Sequence, residues 1–230
     1  MMKVLGGIVG IGLLTAATAF GQARLVAPLD KFDFGILPPN SVLVHHFWLR
    51  SAGADTVTIT DVKTGCSCAA SELEKNVLAP GDSVLLGIRW DIGRSHGSIF
   101  RSPLVFFNNS EQTLRLSLEG QVWDDPETAR PVTVKPFRFE LSRAAIKDID
   151  GLPFTLTNHS GEELSIELLS LAPEEIELVL PEKIPANGSA SGSVRVKPEF
   201  RNTEFSTSIT LLVRDERNTH VTIPVRRKFY

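Results

Sequence analysis

The sequence predicts an all-β protein made of two tandem β-sandwiches, and three observations carry that expectation. From Arg24 onward, short runs alternate apolar and polar residues and are divided by clusters of Gly, Pro, Asn and Asp. That is the pattern of half-buried strands joined by turns. No stretch repeats its apolar residues at the spacing of an amphipathic helix. The order of runs in the first half returns in the second, which marks an internal repeat.

Length and composition agree. A chain of 230 residues accommodates two domains of roughly 100 residues, each able to bury its own core without metals or staples. The net charge of -3 leaves no basic footprint of the kind nucleic-acid binding needs.

Residues 1–23 read as a secretory signal peptide. Lys3 supplies a positive start, Val4 to Phe20 is a run of apolar and small residues, and small-residue cleavage sites end at Ala19 and Ala23. The run is short and small-residue-rich for a membrane span, and no later segment is apolar enough to cross a bilayer. The mature chain is therefore expected outside the cytoplasm, in the periplasm or beyond, where disulfides persist.

The first sandwich is assigned to residues 24–123. Phe32-Asp33-Phe34-Gly35 alternates, and Pro38-Pro39-Asn40 breaks the chain. Leu43, His45, Phe47 and Leu49 share one face of the next strand, with Val44, His46 and Trp48 on the other. Val57, Ile59 and Val62 continue as a strand ending near Gly65, and Leu78-Ala79-Pro80-Gly81-Asp82 forms a turn. Val84, Leu86, Ile88 and Trp90 then alternate, and Arg94-Ser95-His96-Gly97 reads as a hairpin tip. Pro103 to Phe107 and Leu114 to Leu118 make the last pair, around Asn108-Asn109-Ser110. Residues 124–130 are polar and aperiodic, a linker. Residues 131–230 repeat the plan: Phe137-Arg138-Phe139, Phe154-Thr155-Leu156, Ile184-Pro185-Ala186-Asn187-Gly188 and His220 to Ile223 follow in the same order. The second copy has Leu171-Ala172-Pro173-Glu174-Glu175 where the first has its cysteines.

Phe32-Asp33-Phe34-Gly35, Phe47-x-Leu49, Cys66-Ser67-Cys68 and Ala79-Pro80-Gly81-Asp82-Ser83 together resemble the domain of unknown function numbered fifteen seventy-three. That domain occurs in exported bacterial proteins and is similar to the immunoglobulin-like ASH, major-sperm-protein and PapD group. The resemblance covers Phe32 to Gln121, and more weakly the second copy. It implies two immunoglobulin-like sandwiches and no activity. The family's cysteine signature is C-G-C-T; here Ser67 and Ala69 replace the glycine and threonine, which keeps both sulfurs and removes the flexible residue between them.

Cys66 and Cys68 are the candidate site. In an extended loop their Cα atoms would lie about 7 Å apart, at the limit for a disulfide, whereas a tight turn would allow one. A structural pair, bridged or buried and reduced, is one reading. Redox chemistry is another, and a Cu(I) site with His45 or His46 as an additional ligand is a third. A lone C-x-C lacks the spacing of a zinc site. His45 and His46 point to opposite faces and are expected at solvated or edge positions. Trp48, Trp90 and Trp123 are expected to fill the core or cover its open end. The N-x-S triplets at Asn108, Asn158 and Asn187 read as turn asparagines. Glu72, Glu74 and Glu174 to Glu177 read as solvated surface.

No nucleophile elbow, phosphate loop or metalloprotease motif is present. The expectation is a non-enzymatic binding or scaffolding protein of the cell envelope. It would meet other envelope proteins through a sheet edge or an inter-domain surface. The alternative is a thiol-redox or copper-binding protein acting through Cys66 and Cys68, with an enzyme last.

Overall fold

A computed structural model describes residues 22–108, 113–142 and 151–229. Most of the expected signal peptide, and the tip of the Asn108-Asn109-Ser110 turn, lie outside the described residues.

The first copy contains β1 (Leu25–Val26), β2 (Lys31–Leu37), β3 (Val42–Ser51), β4 (Val57–Lys63), β5 (Ala69–Leu73) and β6 (Val77–Leu78). It continues through β7 (Ser83–Asp91), β8 (Gly97–Arg101), β9 (Leu104–Phe107), β10 (Thr113–Arg115) and β11 (Ser117–Val122). The second copy contains β12 (Val132–Lys135), β13 (Phe139–Ser142), β14 (Leu152–Asn158), β15 (Leu164–Leu168) and β16 (Ile176–Val179). It ends with β17 (Lys183–Ile184), β18 (Ser189–Val196), β19 (Phe205–Arg214) and β20 (Thr219–Lys228). Helix among the described residues is confined to short 3-10 turns at Pro126–Thr128 and Pro198–Phe200.

The repeat is visible in the topology. The sheet β1-β3-β7-β5 of the first copy has its counterpart in β12-β14-β18-β16 of the second. In β3 the alternation works as the pattern requires, with Leu43, Phe47 and Leu49 buried and His46 and Trp48 outward. Two apolar cores result, one around Phe34, Phe47, Leu86 and Ile88, the other around Phe154, Leu156, Ile209 and Ile223. The uneven step from Ile59 to Val62 is a bulge: the register of β4 against β9 shifts between Ile59 and Asp61.

Two local expectations change. The turn Arg94 to Gly97 joins β7 to β8, which lie in different sheets, so it is a crossover rather than a hairpin tip. Asn158 is not a turn residue of the left-handed kind found at Asn108 (φ 53°) and Asn187 (φ 51°). It is buried at the end of β14, where its amide donates to the carbonyls of Glu162, Ile184 and Pro185 and its Oδ1 accepts from Ser160. Five such bonds turn a buried polar side chain into a clamp on two loops.

The copies are not beads on a linker. One continuous sheet, β17-β15-β19-β20-β2-β11-β8, runs through both, with β2 of the first copy parallel to β20 of the second at Ile36 and Val221. Gly35, with φ +63°, permits the approach: a Cβ there would sit 2.1 Å from the His220 carbonyl oxygen. Thr222 Oγ1 donates to the Phe34 carbonyl at 2.5 Å, and Arg138 donates to the carbonyls of Pro39 and Asn40. Trp123 Nε1 donates to Thr128 Oγ1 at 2.9 Å, which fixes the connecting segment as well.

Candidate functional site: a disulfide loop beside an acidic cleft

Cys66 and Cys68 are bonded to each other, with their Cα atoms 5.2 Å apart. The loop between β4 and β5 closes into a tight turn in place of the extended form. Thr64 Oγ1 serves as its hub, bonded to the carbonyls of Cys66 at 3.2 Å and Ala69 at 2.9 Å. Gly65 enters at φ +85°, where a side chain would be strained. The Cys68 carbonyl accepts from the Asp91 amide at 2.8 Å, anchoring the loop to the end of β7. Cys68 leans on the apolar core. Arg101, at the end of β8, reaches from one sheet to the other to place Nη2 3.6 Å from Cys68 Sγ, with its guanidinium 5.3 Å from the centre of the Trp90 ring.

The histidines do not join this loop. Ala69 lies opposite Trp90 on β7 and His45 lies opposite Ile88 from the other side. They are thus two strands apart, about 10 Å, and displaced along the strands as well. With the sulfurs bonded to each other, neither is a thiolate ligand. Among the described residues no three His, Cys, Asp or Glu side chains gather at metal-binding spacing.

His45 is not solvated. It occupies the core face of β3 and stacks on Phe32 at 3.6 Å, with Phe34 and Phe47 edge-on. Its Nδ1 is buried without a hydrogen-bond partner. Burial, and secondarily the neighbouring His46, push its pKa down to about 3. Alternation already sets His45 on the face of Leu43 and Phe47; what it does not show is the ring of Phe32, from β2, that covers it. His46 is exposed, as expected. Trp90 is buried, but Trp48 is 52% exposed on the outer face of β3, not in the core.

That outer face floors a cleft of about 640 Å³ between the two copies. Paired residues make its rows: Val44 with Arg89 and Ala70, then His46 with Gly87 and Glu72. Gly87 has no side chain, and the His46 ring lies over it; a Cβ there would meet His46 Cδ2 at 3.2 Å. The far wall is Ser206 to Ser208 of β19 and the loop 170–175, the counterpart of the cysteine loop. Glu72, Glu74, Glu174 and Glu175 border the cleft, with Arg89 the one arginine among the described residues that line it. Glu175 is half-buried rather than solvated, and burial raises its carboxyl pKa, with Glu174 adding to the rise. Sequence reasoning misses this grouping, because Glu72 and Glu175 come to one cleft only through the packing of the copies. It misses Arg101 too, which sits 33 residues from Cys68.

Fold and site together define a two-copy immunoglobulin-like β-sandwich protein with a disulfide loop on its first copy. Residues 26–122 match the model of the family described as Protein of unknown function (DUF1573). No curated protein matches the sequence. A protein of unknown function from Porphyromonas gingivalis W83 is similar at 12% identity, covering 89% of this chain and 99% of that one, with a TM-score of 0.35. The ASH / PapD-like domain 7 of human CEP192 is similar at 14% identity over 54% of this chain and 99% of that one, with a TM-score of 0.36. The CupB2 chaperone of Pseudomonas aeruginosa is similar at 7% identity, with 86% and 98% covered and a TM-score of 0.30. None of the three bears on what this chain binds.

Proposed function

We propose that the chain is an exported, non-enzymatic protein of the cell envelope that binds other envelope proteins by strand addition at the free edge of β5. The observation that carries this reading is the position of β5. Among the described residues β7 is its only strand partner, the Ala69 carbonyl being taken by Thr64, and its residues Ala70, Ser71 and Glu72 border the cleft between the copies. An unpaired edge offers a row of backbone donors and acceptors to an extended segment. The carboxylates around it select a segment bearing Lys or Arg. Trp48 and Leu85, adjacent in register, add an apolar shelf for alternate side chains. The reading of export rests on the N-terminal pattern and is supported by the disulfide, which persists in oxidising compartments.

Photo-crosslinking tests it. A benzoylphenylalanine at Ser71 should capture a partner in envelope extracts, and Glu72→Lys with Glu175→Lys should abolish capture. A probe at Glu177, on the edge strand β16, is the control. Equal capture from both positions, or capture indifferent to the charge reversals, would contradict it.

A further inference from the structure

We propose that Cys66–Cys68 is a reactive disulfide that exchanges with a dithiol of another exported protein, with Cys66 as the attacked sulfur and Cys68 as the leaving thiolate, held by Arg101. This does not rest on strand addition at β5.

The two sulfurs are inequivalent. Cys68 packs against the core and receives the Arg101 guanidinium at 3.6 Å. Cys66 does neither, although both residues are partly open to solvent. Arg101 is itself placed for this contact. Its Nε is buried without a partner, its guanidinium carbon lies over the Trp90 ring, and no carboxylate pairs with it among the described residues. A guanidinium left without a counter-charge and turned toward a sulfur favours negative charge there, so it lowers the pKa of the Cys68 thiol once freed. A sulfur of lower pKa leaves faster in thiol–disulfide exchange. The second copy has neither cysteines nor this pairing, so its β15–β16 loop serves as an internal contrast.

The step balances. One thiolate of the partner dithiol attacks Cys66 Sγ, forming a mixed disulfide as the Cys66–Cys68 bond breaks and its electron pair departs on Cys68. The partner's second thiol, losing its proton, then attacks its own half of the mixed disulfide and releases Cys66, which takes up a proton. The partner ends as a disulfide, oxidised by two electrons, and this chain as a dithiol. Arg101 is a positioning residue: it holds the charge on Cys68 and forms no bond.

The test uses the full chain with glutathione and dithiothreitol as probes. Brief exposure to glutathione, acid quenching and mass mapping should place the glutathione on Cys66. In the dithiothreitol-reduced protein, thiolate absorbance at 240 nm should show a thiol titrating below the ordinary cysteine value near 8.5. Arg101→Met should raise that titration and slow reduction by about tenfold, while Arg101→Lys, which keeps the charge, should restore most of both. Near-ultraviolet circular dichroism confirms that each variant is folded. Glutathione on Cys68, or a titration and rate that ignore the charge at position 101, would overturn the proposal. So would a bond that resists excess dithiothreitol in the folded protein.

Discussion

Ser208 holds Val44 at both of its backbone groups. Its hydroxyl accepts from the Val44 amide at 3.0 Å and donates to the Val44 carbonyl at 2.8 Å. A side chain of the second copy thereby satisfies backbone groups of β3 in the first, at the floor of the cleft. Ser208 is 3% exposed, so Ser208→Ala leaves two backbone groups short of partners in a site with little water. The variant should lose about 1–3 kcal/mol of stability, read as a lower midpoint in urea with an unchanged slope. An unaltered midpoint would mean that solvent replaces the hydroxyl.

Gly35→Ala should be more damaging. The new methyl would collide with the His220 backbone, and the residue would be held at φ +63°. Loss of the β2–β20 junction should appear as faster proteolysis between residues 123 and 131 and a larger radius of gyration in small-angle scattering. A compact, protease-resistant variant would show that the junction relaxes instead.

His45 makes stability depend on pH. Its pKa is depressed from 6.5 to about 3 in the folded chain. Below 6.5 the unfolded chain takes up a proton that the folded one refuses, so the contribution is full above 6.5 and lost as pH falls toward 3. The loss is on the order of 5 kcal/mol at most. Thermal melts from pH 7 to pH 4 should fall for the native chain and fall less for His45→Phe, which keeps the stack on Phe32. Parallel curves for the two would contradict this.

Cys66→Ser with Cys68→Ser should leave the fold intact. The bond closes a very short loop, which restrains the unfolded chain by only about 1–2 kcal/mol, and the second copy folds the same sheet without cysteines. A large fall in melting temperature would show that the loop is a keystone.

The short-range pattern carried the strands well. Leu43, Phe47 and Leu49 on one face of β3, and the turn at Ala79 to Asp82, could be read directly because alternation and turn chemistry are local. The cysteine pair was visible, though its turn depends on Thr64, whose role comes from hydrogen bonds and not from spacing. What stayed hidden is long-range. The parallel pairing of Ile36 with Val221, the stack of His45 on Phe32, and Arg101 at Cys68 each join residues whose partners no periodicity marks. The tandem repeat marks two copies and a linker, and the shared sheet adds how they pack, with a cleft between them.

Hydrogen exchange on β5 reads strand addition at the backbone itself. The protein would be titrated with an extended peptide alternating Lys and Val, at low and high salt, and the backbone amides followed residue by residue. Strand addition predicts saturable binding that weakens with salt, new protection within Ala69 to Leu73, and loss of both in Glu72→Lys with Glu175→Lys. Protection appearing instead on β8 or β16, or none anywhere at saturating peptide, would contradict it.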